Sequence, residues 1–434
     1  MQTASETNEN TTVTSSKTSL FTKDFTFLVI CQIITLFGNA MLRFALPLYI
    51  LEQSGNAALF GLVSASAFLP MIILSPIGGM IADRVNKQRM MVTLDFLSAA
   101  LVLGFMLVNG QVSLIPLVIV VLVLLYGIHG AYTPAVQASL PLLAKQEQMV
   151  SASAVINLVN SLSSLLGPII GGMLYSAYGL TPILAGGGVS FLIAAVLGLF
   201  IRIAHKKQQA SGSMLAIAKD DMKRSMRYIM KENPIMAKVI GIVFLFNLFM
   251  SAMLIIGLPV LITQTLGLSI LHYGVAEAAL AAGGLTGGIL AGVLGKKLTL
   301  RHAYLLLLLC AAGSIPMGLV ILLGLPAFTC YIVITAMSFL LMIAATIFTV
   351  QMFAFVQVQT PPELLGKVIS CLMGLTLSAQ PIGQAIYGLL FERFAEFSWA
   401  IWLGGATVAC LIAVFSKRAF SGIREETAAS AIQK

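Results

Sequence analysis

Four ionisable side chains stand inside long apolar runs of this chain: Arg43, Asp95, His129 and Glu277. A charge held at the centre of a bilayer costs about 2.5–3.5 kcal/mol or more, so each such group needs a partner, a hydrated cavity or a proton to carry. Arg43 and Glu277 lie at similar depth in their runs, roughly 10 Å from the same end by the rise of an α-helix. That placement makes them a pair or two parts of one cavity wall. Two chemistries stay open: Glu277 as a protonatable coupling group modulated by Arg43, or an ion pair that closes one side. Asp95 follows a basic loop by about two turns and is either a partner of Arg84 or Arg89 or a further proton site. His129, flanked by Tyr126 and Tyr132, is either a satisfied buried histidine or part of a cavity lining.

The rest of the chain assembles no reaction centre. No H-E-x-x-H or G-x-S-x-G pattern occurs, and Gly295-Lys296-Lys297 and Gly366-Lys367-Val368 lack the neighbours of a phosphate-binding loop. The five cysteines, Cys31, Cys310, Cys330, Cys371 and Cys410, are scattered through apolar segments without metal-ligand spacing. Neither a metal nor another cofactor is expected, and ATP hydrolysis has no place in the sequence. Work done by this chain must draw on an ion or solute gradient.

The elements that position these groups follow from composition. Of 434 residues, 59% are hydrophobic and 9% charged, with a mean hydropathy of +0.98. A soluble domain carries about 25% charged residues, so most of this surface must face lipid. Spans of roughly 20 apolar residues fall at about 25–50, 57–82, 90–108, 113–135, 148–176, 181–203, 236–264, 270–295, 302–323, 327–354, 365–391 and 397–416. The fold class expected is an all-α membrane protein of twelve transmembrane helices in two six-helix halves, 25–203 and 236–416. A tail (1–24) and a second tail (417–434) flank them, and a central loop (204–235) separates them. In that loop Met214, Ala218, Met222, Met226 and Ile229 form an apolar stripe opposite lysines and arginines, an amphipathic helix suited to the membrane surface.

Charge sets the orientation. With the N-terminus cytoplasmic, Lys17, Lys23, Arg84, Lys87, Arg89, Lys145, the cluster from Arg202 to Lys238, Lys296, Lys297, Arg301, Lys367 and the residues from Lys417 onward all lie inside. Arg393 alone lies in an external loop. This asymmetry places both termini in the cytoplasm and explains the net charge of +9 without nucleic acid. The halves also echo each other at an offset of about 212 residues, with Asp83-Arg84 opposite Gly295-Lys296, Arg89 opposite Arg301 and Pro168 opposite Pro381.

Two motifs carry a resemblance. Gly79-Met-Ile-Ala-Asp83-Arg84-Val-Asn-Lys87-Gln-Arg89 fits G-x-x-x-D-R-x-x-K-x-R and resembles the signature loop of the major facilitator superfamily. Gly79 is expected to let its span approach a neighbour closely. The resemblance implies that Gly79, Asp83, Arg84, Lys87 and Arg89 latch the two halves on the cytoplasmic side. The second-half copy departs from the pattern, with Gly295 in place of the acid. In span five, Ser163-Ser-Leu-Leu-Gly167-Pro168-Ile-Ile-Gly171-Gly172 resembles the drug/proton antiporter motif of the same superfamily, with Ser163 for the first glycine. Ser163, Gly167 and Gly171 share one small-residue face that allows tight packing, and Pro168 bends the helix. Ala135-Val-Gln-Ala-Ser-Leu-Pro141, Asp221 to Tyr228 and Thr360 to Val368 resemble the macrolide-efflux and enterobactin-exporter-like group.

The resemblance implies a secondary active transporter of the cytoplasmic membrane, working as a monomer by alternating access. Proton-coupled efflux of an amphipathic small molecule is the expected activity, with the gradient and the lipid bilayer as the other partners. Asn39 and Gln351 lie on spans that line the cavity in this superfamily and are expected to meet the substrate. A lipid or lysolipid flippase or an uptake symporter of the same fold is the alternative within transport. A membrane-embedded enzyme or a non-transporting receptor is the alternative outside it.

Overall fold

The computed structural model describes residues 20–108, 114–203, 226–294 and 302–420. The described residues form helices and no strands. Six helices make up the first half: α1 (Lys23–Ser54), α2 (Ala57–Arg84), α3 (Lys87–Val108), α4 (Leu114–Leu143), α5 (Met149–Tyr178) and α6 (Leu180–Gly198). Six follow: α7 (Pro234–Thr265), α8 (Ile270–Leu294), α9 (Ala303–Leu322), α10 (Ala327–Gln359), α11 (Pro362–Arg393) and α12 (Ser398–Phe420). All but α11 fall in stretches long and apolar enough to cross a membrane. α11 is no shorter, at 32 residues.

Local chemistry sets the ends. Asn56 Oδ1 accepts the Leu59 N–H at 2.7 Å and starts α2. Asn233 does the same for α7, with Pro234 in the first turn where its missing N–H costs nothing. Gly55 closes α1 in the left-handed region at φ 61°. α4 runs on to Leu143 and α10 to Gln359, beyond the apolar runs at 135 and 354 that the sequence suggests. Hydropathy marks the part of a helix in hydrocarbon; the hydrogen-bond ladder continues into water. α6 ends sooner than expected, at Gly198, and Gln88 Nε2 donates to the carbonyls of Gly198 and Leu199 at that end. Within α7, π turns at Asn247–Ser251 and Val260–Thr265 are backed by side chains: Asn247 Nδ2 donates to Val243 O and Thr263 Oγ1 to Pro259 O.

Packing gathers the helices into two bundles. In the first, α2 packs on α4, α3 on α6, and α1 on α5 and α6. In the second, α8 packs on α10, and α9 on α10 and α12. The bundles meet along two symmetric seams, α2 with α11 and α5 with α8. Lipid tails are as apolar as leucine, so close backbone approach at small residues is what binds such helices. At the α2–α4 crossing that approach belongs to Gly78, where a Cβ would stand 2.5 Å from Ala131 Cα. This corrects the expectation for Gly79, which faces Pro134 at an ordinary 3.7 Å. One residue turns an α-helix by about 100°, enough to move the contact from one glycine to the other.

Both chain ends of the described fold lie at one end of the bundle, termed the terminal end, where Asp24 Oδ1 accepts the Arg202 N–H at 2.9 Å. Most of the expected amphipathic stripe, with Gly295, Lys296, Lys297, Arg301 and the outer tails, lies outside the described residues. After residue 225, Tyr228 hydroxyl donates to Gln359 O at 2.8 Å and ties the entry of α7 to the end of α10.

Candidate functional site

A cavity of about 280 Å³ lies between the bundles. α1 supplies Leu36, Asn39, Ala40, Arg43 and Phe44, while α4 supplies Tyr126 and His129. Ser163 and Pro168 come from α5, and α8 adds Glu277. Arg43 and Glu277, placed at equal depth by the sequence, thus share one wall. Their contacts differ. The Arg43 guanidinium lies over the Tyr126 ring, 3.9 Å from its centroid. A cation on a desolvated aromatic face gains about 2 kcal/mol. Glu277 neighbours the Tyr273 hydroxyl one turn back on α8 and lies in the field of Arg43. Its Oε2 is buried without a hydrogen-bond partner.

His129 and Asn39 complete the polar wall. Asn39 Nδ2 donates to His129 Nδ1 at 2.8 Å. Asn39 Oδ1 and Ser163 Oγ are buried without partners at the same cavity. Gln351 is not among the lining residues; both its amide atoms are buried and unpartnered on α10.

The roof of the cavity is a contact between the halves. Phe44 of α1 stacks on Tyr273 of α8 with centroids 5.1 Å apart and planes 12° apart. Above it, toward the end opposite the termini, two glycine crossings close the seams. Gly172 meets Gly274 where α5 crosses α8, and Gly61 meets Gly388 where α2 crosses α11. Each crossing ends in a cap donated across the seam. Glu392 Oε2 of α11 accepts the Ala57 N–H of α2 at 2.7 Å. Ser176 Oγ of α5 accepts the Leu271 N–H of α8 at 2.9 Å. The first turn of a helix has unpaired N–H groups, and here each half satisfies one for the other. Glu52 adds an acceptor to the same rim, taking the Tyr175 hydroxyl at 2.5 Å.

Of these gate residues only Gly172, through the span-five motif, is singled out by the sequence. A signal was present: Gly61 and Gly274, and Gly172 and Gly388, recur at nearly the offset that relates the two halves. The span-five motif divides its work between partners. Gly167 and Gly171 face α1, where a Cβ at Gly167 would stand 2.5 Å from Ala40 Cβ and one at Gly171 would stand 3.2 Å from Phe44 Cδ1. Gly172 faces the other half.

At the terminal end, Lys87 opens α3, and Arg84 and Arg89 are exposed, with the Arg89 N–H on Asn86 Oδ1. Asp83 belongs to α2. Asp95 is not the partner of Arg84 or Arg89. It is 3% exposed and points into the first bundle, where Thr35 Oγ1 donates to it at 3.1 Å and the Tyr132 hydroxyl at 3.4 Å. The two arginines are exposed at the end of α2 and the start of α3, and the helical phase of α3 turns position 95 away from them.

Comparison with known proteins agrees with this architecture. Macrolide efflux protein A of Streptococcus pyogenes is 24% identical over 394 residues, covering 88% of this chain and 93% of that protein. The Staphyloferrin A transporter of Staphylococcus aureus is 28% identical over 165 residues, 37% of this chain and 41% of that protein. Among solved structures, a nucleoside transporter superposes with a TM-score of 0.72 at 14% identity, covering 93% of this chain and all of that one (100%). A bacterial homologue of the iron transporter ferroportin, in an inward-facing state, gives 0.68 at 17% identity over 91% of this chain and 98% of that one. The sequence pattern of the Major Facilitator Superfamily matches residues 28–370, and the chain belongs to that family of multi-pass membrane transporters.

Proposed function

We propose that this protein exports an amphipathic small molecule from the cell in exchange for protons, by rocking its halves, 25–203 and 236–416, about the central cavity. The observation that carries this reading is the buried, unpartnered Oε2 of Glu277 in the wall of that cavity. An oxygen in that position takes either a proton or the cationic amine of a substrate, and competition for one acceptor is the simplest form of exchange. The full-length relative named for macrolide efflux supports export. The distribution of lysine and arginine supports cytoplasmic termini in the cell membrane. With that orientation, the gate of glycine crossings and caps faces outward, and the conformation is closed on the outside. At about 280 Å³ the cavity is small among ligand sites, so it seats the polar end of a drug-sized molecule while the remainder extends toward the terminal end.

The test is accumulation of labelled macrolides, catecholate siderophores, cationic dyes and lysolipids in pump-deficient bacteria, with and without the protein and with and without a protonophore. Lower accumulation of one compound, restored by the protonophore, is the expected result. Accumulation unchanged across the panel rejects drug export, and a rise in any member points to uptake. For the compound that responds, His129→Ala is expected to weaken binding about tenfold, because it strips Asn39 of its partner and leaves a polar atom buried at about 1–3 kcal/mol. Binding constants measured on the purified protein decide it; equal values for variant and parent remove His129 from the site.

A further inference from the structure

Asp95 lies outside the central cavity, between two small voids, one sharing lining residues with that cavity and the other lined near the terminal end of α6. The first, of about 10 Å³, is lined by Thr35, Asn39, Asp95, Ser98, His129 and Tyr132. Asn39 and His129 also line the central cavity, so this void lies directly behind the wall that faces the substrate. The second, also about 10 Å³, touches Cys31, Met91, Asp95, Tyr132, Gly198 and Ile201 and runs toward the terminal end of α6. Each has the volume of about one water-sized probe. Asp95 is the acid common to both.

The neighbours of Asp95 suit a carboxyl that gains and loses a proton. α1 presents Cys31, Gln32 and Thr35, α4 presents His129 and Tyr132, and α6 with the segment after it presents Phe191, Gly198 and Ile201. Among the described residues no lysine or arginine is paired with it, and its two hydrogen bonds come from neutral hydroxyls. Gln32 Nε2 donates to Tyr132 Oη at 3.0 Å and so orients that hydroxyl toward Asp95. A permanent carboxylate in hydrocarbon without a cation is costly, whereas a carboxyl that takes a proton from one side and passes it to the other is charged only in transit.

We propose that Asp95 is a second proton-binding site, filled from the central cavity past Asn39 and His129 and emptied toward the terminal end past Cys31 and Gly198. The step is a proton transfer alone: the carboxylate takes a proton delivered to the cavity and later releases it to water at the other end. This deepens the antiport reading and rests on it. It gives the proton an exit through the first bundle, separate from the substrate's path, so that substrate in the cavity does not block proton release.

The experiment is infrared difference spectroscopy of the full-length protein in lipid nanodiscs, titrated in pH, reading the C=O stretch of protonated carboxyls. Asp95→Asn is expected to remove one titrating band, and Glu277→Gln a different one. Tyr132→Phe, which removes one donor, is expected to shift the Asp95 band without abolishing it, and serves if Asp95→Asn fails to insert. His129→Leu is expected to slow the deuterium shift of that band several-fold. A full set of titrating bands in Asp95→Asn, or an unshifted titration in Tyr132→Phe, overturns the site; an unchanged deuterium rate in His129→Leu overturns the route. Proton movement into proteoliposomes on adding erythromycin is read separately. Its absence in the unsubstituted protein rejects macrolide antiport, while the infrared result still decides whether Asp95 binds a proton.

Discussion

Gly274→Val is expected to abolish transport while leaving the chain folded in the membrane. A Cβ at position 274 would stand 2.5 Å from Pro168 O, 3.3 Å from Pro168 C and 3.4 Å from Gly172 Cα. All three are backbone atoms of a helix, which cannot turn aside as a side chain can. Gly61→Val repeats the test at the symmetric seam, where a Cβ would stand 2.7 Å from both Gln384 O and Gly388 Cα. Overpacking of this kind costs about 1–3 kcal/mol. The cost falls on the state closed at this end, because the halves part here when the gate opens. It therefore shifts the population toward the open-gate state by about 5–150-fold. A cysteine at Ser164, an exposed lining residue, in a background free of native cysteine, reports the change. Impermeant maleimide added from the gate side should react faster in either valine variant. Gly186→Ala, where an added Cβ meets nothing within 4 Å, is the control and should transport normally. Normal transport by Gly274→Val would show that the crossing is not part of the gate.

These expectations mark where the sequence is readable and where it stops. Length and hydropathy locate the spans because each must cross a fixed thickness of hydrocarbon, and rise per residue places Arg43 level with Glu277 without knowledge of their neighbours. Facing direction is another matter. The sequence puts a close approach at Gly79 and the structure puts it at Gly78; it offers Asp95 as a partner of Arg84 or Arg89 or as a proton site, and the structure turns it toward Thr35 and Tyr132. Both depend on helical phase, which a uniformly apolar span does not record: lipid-facing and protein-facing positions are equally apolar, so periodicity is lost. The hydrophobic pattern of α2 illustrates this, since Ile73 is 59% exposed and Ala67 fully buried in one apolar run. The caps at the gate were hidden for a different reason. Glu392 and Ser176 look like ordinary helix-end residues until it is known which helix of the other half begins beside them.

Glu277→Gln is expected to uncouple transport from the proton gradient, on the following physical ground. Glu277 neighbours the hydroxyl of Tyr273, and Tyr273 stacks on Phe44 of the opposite half to form the roof of the cavity. The charge on Glu277 thus acts on a contact that must break for the gate to open. A proton on the carboxylate removes the field it shares with Arg43 and weakens its hold on the Tyr273 hydroxyl, which frees the stack. A cationic substrate at Oε2 balances the same charge but leaves the carboxylate ionised, so its pull on the Tyr273 hydroxyl remains. The two ligands then favour different states of one gate, and their coupling is expected to be about 1–3 kcal/mol, or about 5–150-fold in affinity. Glutamine keeps the size and an acceptor for Tyr273 but binds no proton, so the variant should still take up the compound found in the accumulation assay and exchange it across the membrane. It should no longer concentrate it. Counterflow in proteoliposomes measures exchange, and an imposed pH gradient measures concentration. Retained counterflow with lost gradient-driven accumulation places proton coupling at Glu277. If the variant accumulates as the parent does, Glu277 instead closes the cavity as a structural neighbour of Tyr273, and the coupling proton must be carried by another group.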